Sequence, residues 1–189
     1  MNKIKRVSWF FRIIFQIIFI GFPLLLAYSW MTNPEEFVLF NGIINGSFIP
    51  KGYLATADHP SQIMHVMSVS ERLCGFLVCM IPMAIDLFIV YSLIKLFRLY
   101  ERGEIFSINN VRYMRNIGYG LLAGEFIDPI FQSLMGIVLT IHNPPGHRFF
   151  SIGWGSTNAG IILMALMIIL ISWVMAEGCK LREDQQLTI

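Results

Sequence analysis

Long apolar stretches alternate with short polar stretches along the whole chain. Four of the apolar stretches are long enough to cross a bilayer as helices, because about 20 residues at a rise of 1.5 Å each span the hydrocarbon core. They lie at residues 9–30, 73–97, 118–141 and 157–176. The pattern therefore predicts an all-α, polytopic membrane protein with four transmembrane helices, forming a single membrane domain over residues 1–189.

The stretch between the first two spans, residues 31–70, is rich in turn signals. Asn33-Pro34, Asn41-Gly42 and His59-Pro60 are examples. Short amphipathic pieces at residues 37–40 and 62–69 separate these turns. The stretch is too apolar for a disordered linker. We expect it to form an ordered extracytoplasmic cap loop that lies on the outer face of the membrane.

Aromatic and basic residues mark the ends of the first span. Trp9 and Trp30 bracket it, as expected of interfacial anchors. Arg12 lies one turn inside and can extend its guanidinium to the near interface. The apolar run is long and no small-x-small cleavage site follows it, so we interpret it as a retained span and not as a signal peptide.

Composition supports a membrane protein and narrows its chemistry. The chain of 189 residues is 56% hydrophobic and 14% charged, whereas soluble domains are roughly 25% charged. The net charge of +2 gives no basis for direct nucleic-acid binding. Cys74, Cys79 and Cys179 make no disulfide framework, and no Cys/His spacing resembles a metal site. We also find no catalytic grouping and no cofactor motif.

The distribution of basic residues predicts the orientation of the chain. They concentrate in the N-terminus, in the connection between the second and third spans, and in the C-terminus. In that order they are Lys3, Lys5 and Arg6, then Lys95, Arg98, Arg102, Arg112 and Arg115, then Lys180 and Arg182. Because cytoplasmic segments carry the excess of Lys and Arg, we predict that both termini and the middle connection are cytoplasmic.

The connection between the second and third spans has the signals of a helical hairpin. Gly103 is the expected turn, and Ser107 is the expected N-cap of the helix that follows. Further along that helix, Gly120 and Gly124 form a GxxxG pair, which allows close approach of another helix.

Acidic residues inside the spans are the strongest chemical signal. In the third span, Glu125, Asp128 and Gln132 fall on one helical face, and Asp86 lies near the middle of the second span. Each ionisable group at bilayer depth costs about 2.5–3.5 kcal/mol on insertion scales, so we expect such groups to face the interior of a bundle. We treat these four residues as candidate ligand- or cation-binding residues.

Two readings of these carboxylates stay open. No Lys or Arg lies at a comparable depth, and Arg12 comes nearest. The acids are therefore either protonated or hydrogen-bonded links between helices, with Gln16, Gln132, Asn158 or Ser172 as partners, or they hold a cation, an exchanging proton or a positively charged ligand.

Two motifs resemble those of a bacterial membrane family, domain of unknown function 2975. FRLYERGEIFSINNVRYMRNIG, residues 97–118, resembles its "short helix, Gly, Phe-Ser/Thr, Asn, basic-x-x-x-Gly" segment. AEGCKLREDQQLTI, residues 176–189, resembles its "A-x-x-L-x-E-x-x-L-T-I" tail. The resemblance implies a bacterial inner-membrane protein with about four spans, often encoded beside a small helix-turn-helix regulator. It implies no particular activity and no functional residues.

Two functions from different classes follow as hypotheses. The first is a non-enzymatic regulatory or signalling component of the inner membrane, whose cytoplasmic loop and tail, residues 98–115 and 180–189, dock a partner protein such as that regulator. The second is a cation- or proton-linked transporter or permeation protein that uses Asp86, Glu125 and Asp128. Four spans are few for a lone transporter, so the second function calls for a homo-oligomer.

Overall fold

Four long α-helices make up the described part of the chain. The computed structural model describes residues 2–31, 68–145 and 156–187. The helices are α1 (Asn2–Met31), α2 (Val69–Arg102), α3 (Ile108–Thr140) and α4 (Ser156–Leu187), and those ranges contain no strand. Each helix is long and apolar enough to cross a membrane. The predicted all-α, multi-pass membrane fold is confirmed. Of the predicted cap loop at 31–70, residues 32–67 lie outside the described ranges.

The turn between α2 and α3 is built by local chemistry that the sequence predicts. Gly103 has a φ of 84°, which is the left-handed conformation that glycine adopts most easily at the end of a helix. Its N–H donates to the carbonyl of Tyr100 (3.1 Å), and the N–H of Glu104 donates to that of Leu99 (3.0 Å). These two bonds satisfy the last carbonyls of α2 in the Schellman pattern.

The start of α3 is fixed by Ser107, whose hydroxyl accepts a hydrogen bond from the N–H of Asn110 (3.3 Å). The predicted N-cap is therefore confirmed. The Asn110 amide, which is fully buried, donates in turn to the carbonyl of Ile105, and the Tyr100 hydroxyl donates to its side-chain oxygen (3.3 Å). Asn110 thus ties the end of α2, the turn and the start of α3 together.

A reciprocal cap begins α2. The Ser68 hydroxyl accepts from the N–H of Glu71 (3.3 Å), while the Glu71 carboxylate accepts from the N–H of Ser68 (2.7 Å). This is a capping box. Its Ser-x-x-Glu signature is readable in the sequence, although our sequence analysis did not use it.

The chain divides into two compact units. The turn-side unit comprises Met1–Gly21, Ala84–Glu125 and Gly155–Ile189, and so contains the α2–α3 turn and both termini. The loop-side unit comprises Phe22–Met83 and Phe126–Trp154. The helices α1, α2 and α3 each contribute a segment to both units.

In the turn-side unit, aromatic rings join α1 to α2. Phe11 and Phe15 lie against Phe97, with ring centroids 5.4 and 5.6 Å apart. Close beside them, Arg12 and Glu101 form an ion pair of 3.0 Å. The long side chain of Arg12 therefore contacts Glu101 at the end of α2. The sequence did not identify this partner.

Two glycines bring α3 close to its neighbours in the same unit. A Cβ at Gly118 would lie 2.5 Å from Cγ1 of Ile169 on α4, and one at Gly120 would lie 2.6 Å from Cγ1 of Ile89 on α2. A Cβ at Gly124 would lie 3.8 Å from the nearest neighbouring atom, which is ordinary contact. Within the GxxxG pair, Gly120 therefore allows a tight helix approach and Gly124 does not. The second tight approach is at Gly118, which is not part of that pair.

The loop-side unit has its own core around Trp30. This side chain is 4% exposed and packs against Gly75, where an added Cβ would clash with the indole ring. The prediction that Trp30 is an interfacial anchor is wrong, because Gly75 leaves room for the ring inside the unit. Trp9, by contrast, is exposed. The other buried apolar residues described in this unit are Leu26, Cys79, Met83, Phe131, Met135 and Leu139.

Large apolar side chains cover much of the surface of α4. An apolar surface of this extent needs lipid or another protein to cover it, which agrees with a helix that crosses a membrane. The exposed large apolar residues described on α4 are Leu163, Met164, Leu166, Met167, Leu170, Ile171, Trp173, Val174 and Leu181.

Candidate functional site

The carboxylate of Asp128 has a partner on its own helix. The side-chain amide of Gln132, one turn later on α3, donates a hydrogen bond of 2.6 Å to it. This brings two of the four candidate site residues together. Because both belong to α3, the bond satisfies the acid without linking two helices.

The other two candidate residues have different surroundings. Glu125 is 8% exposed and therefore buried in the turn-side unit. Asp86 is exposed on the surface of α2, although it lies within an apolar span where a carboxylate facing lipid is costly. In the described ranges, no three or more His, Cys, Asp or Glu side chains are grouped so that they could hold a metal ion. The shared cation site stays a prediction.

A further acid meets a histidine between α2 and the end of α3. Glu71 Oε1 lies 2.5 Å from Nδ1 of His142. The carboxylate is buried, whereas the histidine side chain is 63% exposed. The sequence analysis found no signal for this contact, because the two residues are 71 positions apart.

Basic residues on α2 line a cavity of about 270 Å³ in the turn-side unit. Lys95, Arg98 and Arg102 are spaced at i, i+3 and i+7, so they share one face of the helix. The remaining lining residues are Leu99 on α2 and Asn109 and Tyr113 on α3. We call this space the basic cavity. The sequence analysis used these cations only to orient the chain, although their spacing predicts a common face.

A second cavity, of about 430 Å³, lies where the α2–α3 turn meets the end of α4. Residues 103–108 line it from the turn, and Cys179 and Arg182 line it from α4. We call this space the turn–tail cavity. The two motifs on which the family resemblance depends, residues 97–118 and 176–189, thus contribute to one cavity although they are far apart in the chain.

Comparison with known proteins gives a family but no activity. The family "Protein of unknown function (DUF2975)" matches residues 52–189, which is more than half of the chain and includes both motifs. Neither the curated proteins nor the solved structures contain a significant match. The chain therefore belongs to the DUF2975 family of proteins of unknown function.

Proposed function

We propose that this protein is a non-enzymatic regulatory or signalling component of the bacterial inner membrane. In this proposal both termini and the α2–α3 turn face the cytoplasm, as the distribution of Lys and Arg predicts. The turn and the end of α4 bind a soluble partner protein. The proposed partner is a small helix-turn-helix regulator of the kind that the family resemblance implies.

The observation that carries the proposal is the turn–tail cavity. A partner that bound the turn would touch the tail as well, because residues 103–108 line the same space as Cys179 and Arg182. One contiguous surface supports specific recognition better than two separate mobile segments would, since less ordering entropy is lost on binding.

Apolar side chains around this cavity supply suitable anchors. Phe106 and Ile108 line the cavity and are 63% and 57% exposed, and Leu181, which directly precedes the cavity-lining Arg182 on α4, is 59% exposed. Glu104 and Arg182 line the cavity beside them with charges of both signs. Apolar anchors within a polar rim are the usual composition of a protein–protein interface.

The test compares two leucines of α4 that are equally exposed. Leu181 is 59% exposed and directly precedes Arg182, which lines the turn–tail cavity, whereas Leu163 is 62% exposed near the start of the same helix. The full chain in lipid nanodiscs is titrated with a purified small helix-turn-helix regulator of the kind that the family resemblance implies. We expect Leu181→Ala and Phe106→Ala each to weaken binding by about tenfold or more, as truncation of an interface anchor does. Leu163→Ala should leave binding within about twofold of the unaltered chain, because its change lies outside the proposed surface.

Two results would contradict the proposal. One is that the regulator fails to bind the unaltered chain in nanodiscs. The other is that Leu163→Ala and Leu181→Ala weaken binding equally, which would assign the effect to the bundle as a whole and not to this surface.

Burial of Glu125 favours a second function, permeation linked to a cation or proton. A buried carboxyl in an apolar span is a common element of proton relays, and Glu125 is 8% exposed. This version predicts that liposomes containing the protein show a flux of protons or monovalent cations. Glu125→Gln would abolish that flux, whereas Leu181→Ala would leave it intact. Equal flux in empty liposomes and in liposomes with the protein would exclude this function.

A further inference from the structure

We propose that the basic cavity binds a phosphate group, either the headgroup of an anionic phospholipid or a soluble phosphate. The inference is independent of the docking surface, because the two cavities have no described lining residue in common.

The first argument is the arrangement of positive charge. Lys95, Arg98 and Arg102 project from one face of α2 over about 10 Å of helix, given a rise of 1.5 Å per residue. All three line the cavity, and none of the three described residues that complete the lining carries a negative charge. Three cations around one space attract an anion that can accept several hydrogen bonds, and phosphate is the commonest such group.

The second argument is that nearby acids leave these cations unneutralised. Glu101 lies between Arg98 and Arg102 in the sequence, but its carboxylate pairs with Arg12 on α1. In the described part of the chain, these three cations form no salt bridge, and Lys95 instead lies over the ring of Tyr91 at 5.2 Å. Arg98 and Arg102 are exposed, so both guanidinium groups can reach a ligand.

The third argument is the polar wall opposite the cations. The chain reverses direction at the turn that contains Gly103. Asn109 and Tyr113, one turn apart on α3, therefore line the same cavity. An amide and a phenol can each donate a hydrogen bond to a phosphate oxygen. Leu99, which is 8% exposed, adds an apolar side chain to the lining.

The depth of the cavity favours a lipid as the source. The apolar run of α2 ends at Phe97, and Lys95 and Arg98 flank that end. The basic cavity therefore starts where a helix leaves the hydrocarbon core, which is the level of the lipid phosphates. Basic pockets between transmembrane helices at this level bind anionic headgroups.

The experiment measures which lipids the purified full chain retains. Native mass spectrometry follows titration of the protein in detergent with phosphatidylglycerol or with phosphatidylcholine. We expect a preference for phosphatidylglycerol that the double substitution Arg98→Gln/Arg102→Gln weakens by about tenfold or more, because each basic residue near the headgroups contributes to attraction. The double substitution Arg112→Gln/Arg115→Gln removes the same charge from α3 outside the cavity, and should weaken retention less than about threefold.

Two further variants separate charge from folding. Arg98→Lys/Arg102→Lys keeps both charges and should retain phosphatidylglycerol within about threefold of the unaltered chain. Asn109→Leu keeps all charges but places an apolar side chain in the polar wall, and should weaken retention even if the Gln variant fails to fold.

A second arm identifies the source of the phosphate. Calorimetric titration with inorganic phosphate is run on the same variants. If the chain shows no lipid preference but binds inorganic phosphate, and Arg98→Gln/Arg102→Gln abolishes that binding, the site takes a soluble phosphate. If phosphatidylglycerol and inorganic phosphate both bind equally to the cavity variants and to Arg112→Gln/Arg115→Gln, the proposal is wrong.

Discussion

Two rows of polar residues with identical spacing meet very different surroundings in this protein. The basic row, Lys95, Arg98 and Arg102, lies at the end of α2, and the acidic row, Glu125, Asp128 and Gln132, lies in the middle of α3. Both follow i, i+3 and i+7, so each forms one helical face. In the acidic row, Gln132 donates to Asp128 within α3. The basic row has no ion-pair partner among the described residues and lines a cavity instead.

This difference in surroundings indicates which of the two rows is available to bind a ligand. A polar group inside an apolar span is costly unless a partner satisfies it, and a partner within the same helix leaves little capacity for a ligand. A cation at a helix end stays hydrated until a ligand arrives, so it can remain unpaired at low cost. Spacing and the cost of acids at bilayer depth suggested the acidic row and Asp86 as the site, whereas the surroundings point to the basic row.

The largest expected effect comes from moving α3, the helix that carries the acidic row. In Gly118→Ala the new Cβ would lie 2.5 Å from Cγ1 of Ile169 and 3.2 Å from the carbonyl oxygen of Ala165. Since α3 and α4 must then separate, we expect the free energy of unfolding in bicelles to fall by about 1–3 kcal/mol. The matched control is Gly124→Ala, which makes ordinary contact and should change stability by less than about 0.5 kcal/mol or raise it slightly. Equal losses in both variants would show that the close approach at Gly118 is unimportant.

The next effect tests whether the acidic row is satisfied internally. Gln132→Leu removes the donor to Asp128, and leaving a carboxyl unpaired should cost about 1–2 kcal/mol of the free energy of unfolding. Asp128→Leu/Gln132→Leu removes both partners and should cost less than the single change, since no unsatisfied group remains. Gln16→Leu on the exposed face of α1 is the control. If the double variant is the less stable one, Asp128 has a role beyond its bond to Gln132.

Most of the fold follows from patterns within short stretches of the chain. Apolar length predicts the four helices, and a glycine followed by a serine predicts the end of α2 and the start of α3. These features depend on residues a few positions apart, such as the bonds from Gly103 to Tyr100 and from Asn110 to Ser107. Local chemistry is enough to specify them, because each bond joins residues within one turn of chain.

The contacts between distant segments could not be predicted in the same way. Trp30 is a typical interfacial residue by sequence, and only its position against Gly75 makes it a core residue. Gly118 has no more signal than Gly124, and the tight approach depends on which residues α4 presents to it. The meeting of Glu71 with His142 likewise depends on how α2 and the end of α3 pack.

A smaller effect is expected at the start of α2, where a buried acid is paired. Ser68→Ala removes the hydroxyl that accepts from the N–H of Glu71, and loss of an N-cap costs about 1 kcal/mol. Cys74→Ala, six residues later on the exposed surface of α2, should cost less than about 0.5 kcal/mol. Thermal unfolding of both variants in the same detergent gives the comparison. If the two substitutions lower stability equally, the capping box contributes nothing measurable.

The smallest effect on stability is expected in the basic row, and it sharpens the comparison most. Arg98 is exposed and has no ion-pair partner among the described residues, so Arg98→Gln should change the free energy of unfolding by less than about 0.5 kcal/mol. Anionic lipid should stabilise the unaltered chain but stabilise Arg98→Gln less, because a ligand stabilises only the state that binds it. The measurement is the shift in melting temperature when phosphatidylglycerol is added. If Arg98→Gln is destabilised without lipid, this arginine supports the fold. The proposed contrast, in which the acidic row is satisfied within its helix and the basic row is available to a ligand, would then be wrong.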